Sequence, residues 1–188
     1  MAERLAVNQK VTGSSPVGGA NMEAIYKKSV YVGDDLDYEK ISHREGWSAL
    51  RCCKYGPGGH KEILGYTTPG APKGPNYLWA TKGKNLMALN ILDLSDPNMI
   101  PFEAIKHGLD FVKERLDAGD KVLIACNSGH SRGPSTGLAF LRAINDMPHS
   151  FGLSERIYST LYPKYDPGIG MRQVIREHWS ELDGMESK

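Results

Sequence analysis

In this chain of 188 residues, the run Cys126-Asn127-Ser128-Gly129-His130-Ser131-Arg132 brings together side chains able to do chemistry. It follows an apolar, strand-like stretch, Lys121-Val122-Leu123-Ile124-Ala125, and precedes Leu138, Leu141 and Ile144, which recur at helical spacing. A loop passing from a strand into a helix aims several backbone N–H groups at one point, and the helix dipole makes that point positive. Gly129 leaves room for the backbone to come close to an anion. Arg132 can return over the loop and bind two oxygens as a planar fork. Cys126 sits at the focus of these donors. A free thiol has a pKa of about 8.5, and settings of this kind lower it to roughly 3.5–7.5. The same donors would stabilise the equatorial oxygens of a phosphoryl group in transfer. A thiolate inside an oxyanion cradle points to phosphate-ester chemistry through a cysteinyl-phosphate, and the expected reaction is phosphomonoester hydrolysis. Cys126 and Arg132 are then catalytic, and Asn127, Ser128, Gly129, His130, Ser131 and Arg132 form the phosphate-binding loop. His130 can add positive charge below neutral pH or simply face solvent.

Cys-x2-Gly-x2-Arg between strand and helix resembles the signature of the cysteine-dependent protein tyrosine phosphatases. The stretch 23–183 is similar to their compact dual-specificity branch, and to phage and bacterial members in particular. The matching segments are Cys126 through Ser135, Cys52-Cys53-Lys54-Tyr55, Leu89 to Asp93, and Tyr165 to Met171. The resemblance implies Cys126 as nucleophile, Arg132 as phosphate clamp, and a general-acid aspartate on a loop some 30 residues upstream. Asp96 stands 30 residues before Cys126 and Asp93 33 before. Asp96, further into the loop beside Pro97, is the first choice, although Asp-Pro is also a common turn pair. Asp93 directly follows a strand, where a cap or turn role competes. Two positions depart from the family pattern. Ala125 stands where a histidine is usual, and Gly133 where a serine or threonine helps release the thiolate. Both bear on hydrolysis of the intermediate and leave phosphate binding untouched.

Other elements must hold this loop. Ser29-Val30-Tyr31-Val32 and Ala49-Leu50-Arg51-Cys52-Cys53 read as strands, and Leu86 to Leu92 as a strand buried on both faces. Pro101 suits the start of a helix whose apolar positions are Phe102, Ile105, Leu109, Val112 and Leu116. A last helix carries Met171, Val174, Ile175, His178, Trp179 and Leu182 as a core-facing stripe. Residues 54–85, rich in glycine, proline and lysine, show no periodicity; a structureless stretch of that length is unusual and often functional. Strands alternating with helices predict an α/β fold, a central mostly parallel sheet flanked by helices. The resemblance implies the protein tyrosine phosphatase-like version of it.

Composition bounds the function. With 23 Lys+Arg against 22 Asp+Glu the net charge is +1, which makes nucleic acid an unlikely partner. No apolar run approaches the ~20 residues of a membrane span. Three cysteines, Cys52, Cys53 and Cys126, form no disulfide framework, and a reducing, cytoplasmic setting is expected. Cys52, Cys53 and His60 fit no familiar zinc spacing, so neither metal nor organic cofactor is expected. Residues 1–21 lack periodicity, and Val7 to Ala20 resembles an in-frame reading of the 3′ half of a transfer-RNA gene. That segment is expected to be a tail or a misplaced start, leaving 22–188 as a single domain. The expected partner is a phosphorylated protein or a small phosphomonoester. Two competing readings share the cradle. One is a phosphate-binding module without turnover. The other is thiol-dependent reduction of an oxyanion such as arsenate, which needs Cys52 or Cys53 as a resolving partner for Cys126.

Overall fold

A computed structural model of the chain describes residues 22–184; the expectation for residues 1–21 lies outside them. Six strands form one sheet: β1 (Glu23–Tyr26), β2 (Val30–Gly33), β3 (Trp47–Arg51), β4 (Trp79–Lys82), β5 (Leu86–Leu89) and β6 (Lys121–Ala125), in the order β1-β2-β6-β3-β5-β4. The four inner strands run parallel, and β1 and β4 close the edges antiparallel. The sheet is thus mostly parallel, as the alternation of elements predicts. Helices flank it: α1 (Asp35–Ile41), α2 (His60–Leu64), α3 (Phe102–Asp117), α4 (Arg132–Ala143), α5 (Phe151–Leu161) and α6 (Ile169–Glu177).

Period-two alternation along the strands sorts side chains between two layers. Val30, Val32, Leu50, Val122 and Ile124 enter the larger core with Ile105, Leu109 and Val112 of α3 and Leu138 and Leu141 of α4. Ala49, Leu123 and Ala125 face the other way, into a small cluster with Ile41 of α1 and Leu86. Continuing the alternation past the strand ends puts Cys52 and Cys126 on the thick side, where both join the large core. Arg51, between Leu50 and Cys52, falls to the side that α1 covers.

Several boundaries differ from the sequence expectation. Residues 54–85 are not structureless; they contain α2 and β4. His60 organises them: it is fully buried, its Nε2 donates to Asn76 O at 2.8 Å, and its Nδ1 accepts from Tyr66 Oη at 3.2 Å. Polar anchoring there takes the place of apolar periodicity. The strand expected over 49–53 stops at Arg51, and the one over 86–92 stops at Leu89. Pro101 precedes α3 as its cap. The last helix breaks after Glu177 into a 3₁₀ turn at Trp179–Leu182. Met171, Val174, Ile175, Trp179 and Leu182 remain buried through the break. His178 leaves the core stripe half-buried and stacks on Phe102 with ring centroids 4.0 Å apart.

Candidate active site

Cys126 follows β6 at the carboxyl edge of the parallel strands, buried to 1% exposure, and α4 begins six residues later at Arg132. The intervening loop is fastened from outside by its carbonyls. Asn127 O accepts from Asp35 N at 3.3 Å, Gly129 O from Tyr162 Oη at 2.7 Å, and His130 O from Asp166 N at 3.0 Å. A trans peptide sets its C=O and N–H on opposite sides. These anchors therefore turn the N–H groups of Ser128, His130 and Ser131 away from the surrounding elements and toward the inside of the loop. Gly129 makes the turn at φ +70°, a conformation that L side chains rarely adopt.

The guanidinium of Arg132 lies along this loop. Its Nη2 donates to Asn127 Oδ1 at 2.8 Å, and its Nη1 reaches Ile91 O at a long 3.4 Å. Its Nε is buried without a hydrogen-bond partner and lies 4.0 Å from Asp93 Oδ2. Asp93 is itself tied to the loop: Ser131 Oγ donates to its Oδ1 at 2.9 Å while accepting from Gly168 N at 2.9 Å. Asp96 is exposed and turned elsewhere. Its Oδ1 accepts from Asn98 N at 2.9 Å and Asn98 Nδ2 at 3.0 Å, capping the 3₁₀ turn Pro97–Met99. Of the two aspartates weighed from the sequence, the fold brings Asp93 to Arg132 and employs Asp96 as a turn residue.

The two departures from the family pattern have different surroundings. A side-chain carbon at Gly133 would stand 2.9 Å from Cys126 N and 3.0 Å from Ala125 C. The first turn of α4 thus packs on the end of β6 too closely for a serine to enter without a shift. Ala125 points into the small cluster on the opposite face. Ser128 and His130 are exposed, and the His130 ring holds Lys164 O through Nδ1 at 2.9 Å.

All three cysteines are free and buried. Arg51 pairs in register with Ala125, and Cys52 N donates to Ala125 O at 2.7 Å, so Cys52 stands beside Cys126. Burial pushes the Cys52 thiol up to about 12. Burial likewise pushes the Cys53 thiol up to about 11, against the pull of Arg51 and Arg132. Burial thus disfavours the thiolate at both positions, which weighs against the thiol-exchange reading. Among the described residues no cluster of three His, Cys, Asp or Glu side chains is placed to hold a metal ion, and no helix is long and apolar enough to cross a membrane.

Sequence reasoning missed Asp35, Arg51, Tyr162 and Gly168. Arg51 left a signal, a permanent charge inside an apolar strand, and Gly168 lay inside the Tyr165 to Met171 match. Asp35 and Tyr162 act through side chains that reach across distant segments, and Gly168 through its backbone N–H.

No protein-family model matches the chain, and no curated protein matches it. Solved structures do. A mouse putative dual specificity phosphatase complexed with zinc tungstate superposes with a TM-score of 0.60 at 14% identity, over 94% of this chain and 100% of that one. A leucine rich repeat and phosphatase domain containing protein from Entamoeba histolytica gives 0.58 at 16% identity, over 89% and 96%. The human tyrosine phosphatase-like serine/threonine/tyrosine-interacting protein gives 0.57 at 15%, over 85% and 96%. The fold is that of the dual-specificity phosphatases.

Proposed function

We propose, from that fold as premise, that the chain hydrolyses phosphomonoesters through a phosphocysteine. Cys126 Sγ attacks phosphorus and the ester oxygen leaves. The inward N–H groups of the loop and the Arg132 guanidinium hold the three non-bridging oxygens, whose charge shifts as the bond breaks. Asp93 gives its proton to the departing oxygen. Water then attacks the phosphocysteine, with the same carboxylate taking a proton, and inorganic phosphate leaves. The observation that carries this reading is the Arg132 side chain. A buried, unpartnered Nε faces the gap between the loop and Asp93, and a buried donor left without an acceptor is costly unless something fills the place.

The departures at Ala125 and Gly133 give the reading a kinetic corollary. With no hydroxyl at residue 133, release of the thiolate from the intermediate lacks its usual helper, so the second step is the slower one. The test is a small aryl phosphate followed from the first turnover. The expected course is a burst of one phenol per chain and then slow steady hydrolysis. The Cys126→Ser chain is expected to lose both phases, by at least about 10³-fold in rate. Hydrolysis that survives Cys126→Ser would discard the phosphatase reading. Phosphate binding without any burst would leave a binding module in its place.

A further inference from the structure

Arg51 has no part in the chemistry above, yet it is one of the largest fully buried side chains. Taking a guanidinium out of water costs several kcal/mol unless its donors are met. Its Nε donates to Pro57 O at 2.9 Å, its Nη2 pairs with Asp35 Oδ1, its Nη1 is buried without a partner, and its Cζ lies over the Tyr38 ring, 4.8 Å from the centroid. Asp35, in the first turn of α1, also accepts from Asn127: Nδ2 stands 3.1 Å from Oδ2. Asn127 Nδ2 donates a second time, to Tyr55 O at 2.9 Å.

These partners fix which way the Asn127 amide faces. A carboxylate and a carbonyl only accept, so the NH2 end must be theirs. The oxygen end is left for Arg132 Nη2, which only donates, at 2.8 Å. A continuous path Arg51–Asp35–Asn127–Arg132 therefore runs from the α1 side of the sheet over its carboxyl edge to the loop.

We propose that Asn127, oriented by the Asp35–Arg51 pair, is a positioning residue that sets the plane of the Arg132 guanidinium before phosphate arrives. The proposal rests on the reading of the loop as a phosphate site. A planar fork binds two oxygens only when its plane is aligned with them. The remaining hold on Arg132 is weak, since Nη1 reaches Ile91 O at 3.4 Å and Nε has no partner. Released from Asn127, the guanidinium is free to close the 4.0 Å gap to Asp93. That would occupy both the clamp and the acid.

The test is calorimetric titration of inorganic phosphate into the full-length Cys126→Ser chain, with Asn127→Ala, Arg132→Lys and the two together added to it. Asn127→Ala is expected to weaken phosphate binding about tenfold or more. In the Arg132→Lys background, which keeps the charge and loses the fork, removing Asn127 is expected to change affinity by less than about twofold, because the two residues act as one unit. A purely structural role would give the same loss in both backgrounds. Asn127→Leu, close in size but without donor or acceptor, repeats the measurement if the alanine variant unfolds. Binding unchanged by Asn127→Ala, or a full loss persisting beside Arg132→Lys, overturns the proposal alone. A Cys126→Ser chain that takes up no phosphate, with a wild-type chain that gives no burst, overturns the phosphatase reading and this proposal with it.

Discussion

On its α1 side, Arg132 meets Asn127 at 2.8 Å, and behind Asn127 stand Asp35, Tyr55 and the buried Arg51. On its α6 side it meets Asp93 only across 4.0 Å, with Nε left open. The first flank is closed by close hydrogen bonds and an ion pair, with Arg51 Nη1 alone among these groups left without a partner. The second is held near the loop by Ser131 but keeps a gap. The guanidinium of Arg132 is oriented where it has a close partner, and room is left on the side where it has none. A guanidinium held closely on both sides would leave no place for a substrate.

The open flank is broken most severely at Asp93. Asp93→Asn is expected to lower kcat/KM on alkyl phosphates, whose leaving oxygen needs a proton, by about 10²–10⁴-fold. Asp96→Asn, which disturbs only a surface turn, should stay within about threefold. Steady-state rates on one substrate measure both, and the reverse ranking would move the acid to Asp96. Beneath both flanks, Gly133→Ser would force a side chain against Cys126 N and Ala125 C. It is expected to cost about 1–3 kcal/mol in urea unfolding, as overpacked sites do. No loss would mean that α4 can slide on β6.

The smallest effect concerns the closed flank, through the segment that carries Tyr55. Burial lowers the pKa of His60, and Lys54 adds to this against the opposing hydrogen bond to Asn76. The folded chain therefore holds His60 neutral while the unfolded chain takes up a proton near pH 6.5. That contribution is complete above the unfolded value and is lost as pH falls through the folded one. Melting temperature should fall between pH 7 and 5, with a shallower slope in His60→Gln. Equal slopes in the two chains would remove His60 as the cause.

Much of this was readable from residue order. The run Val122 to Ala125, the glycine at 129 and the apolar spacing after Pro134 define β6, the loop and α4, because local preference and burial agree there. The stripe from Phe102 to Leu116 defines α3 for the same reason. Other parts were not readable. α1 is a short helix started by Asp34 and Asp37 capping each other at 3.1 and 3.2 Å, a pair that also reads as a turn. α2 and β4 depend on His60 reaching Asn76, a contact across sixteen residues. The choice between Asp93 and Asp96 turns on which carboxylate a folded loop swings toward Ser131, and spacing does not encode that. Asn127 was visible as a loop residue, but its partners come from three separate segments.

The three fastened carbonyls of the loop between β6 and α4 carry a consequence for the proposed encounter with an ester. Their peptides are held in place when the chain folds, so on the proposed reading an arriving ester would find the receiving N–H groups already positioned, with little backbone left to rearrange. Capture should then be limited by diffusion and by the fit of the leaving group, with the empty and occupied loops nearly superimposable.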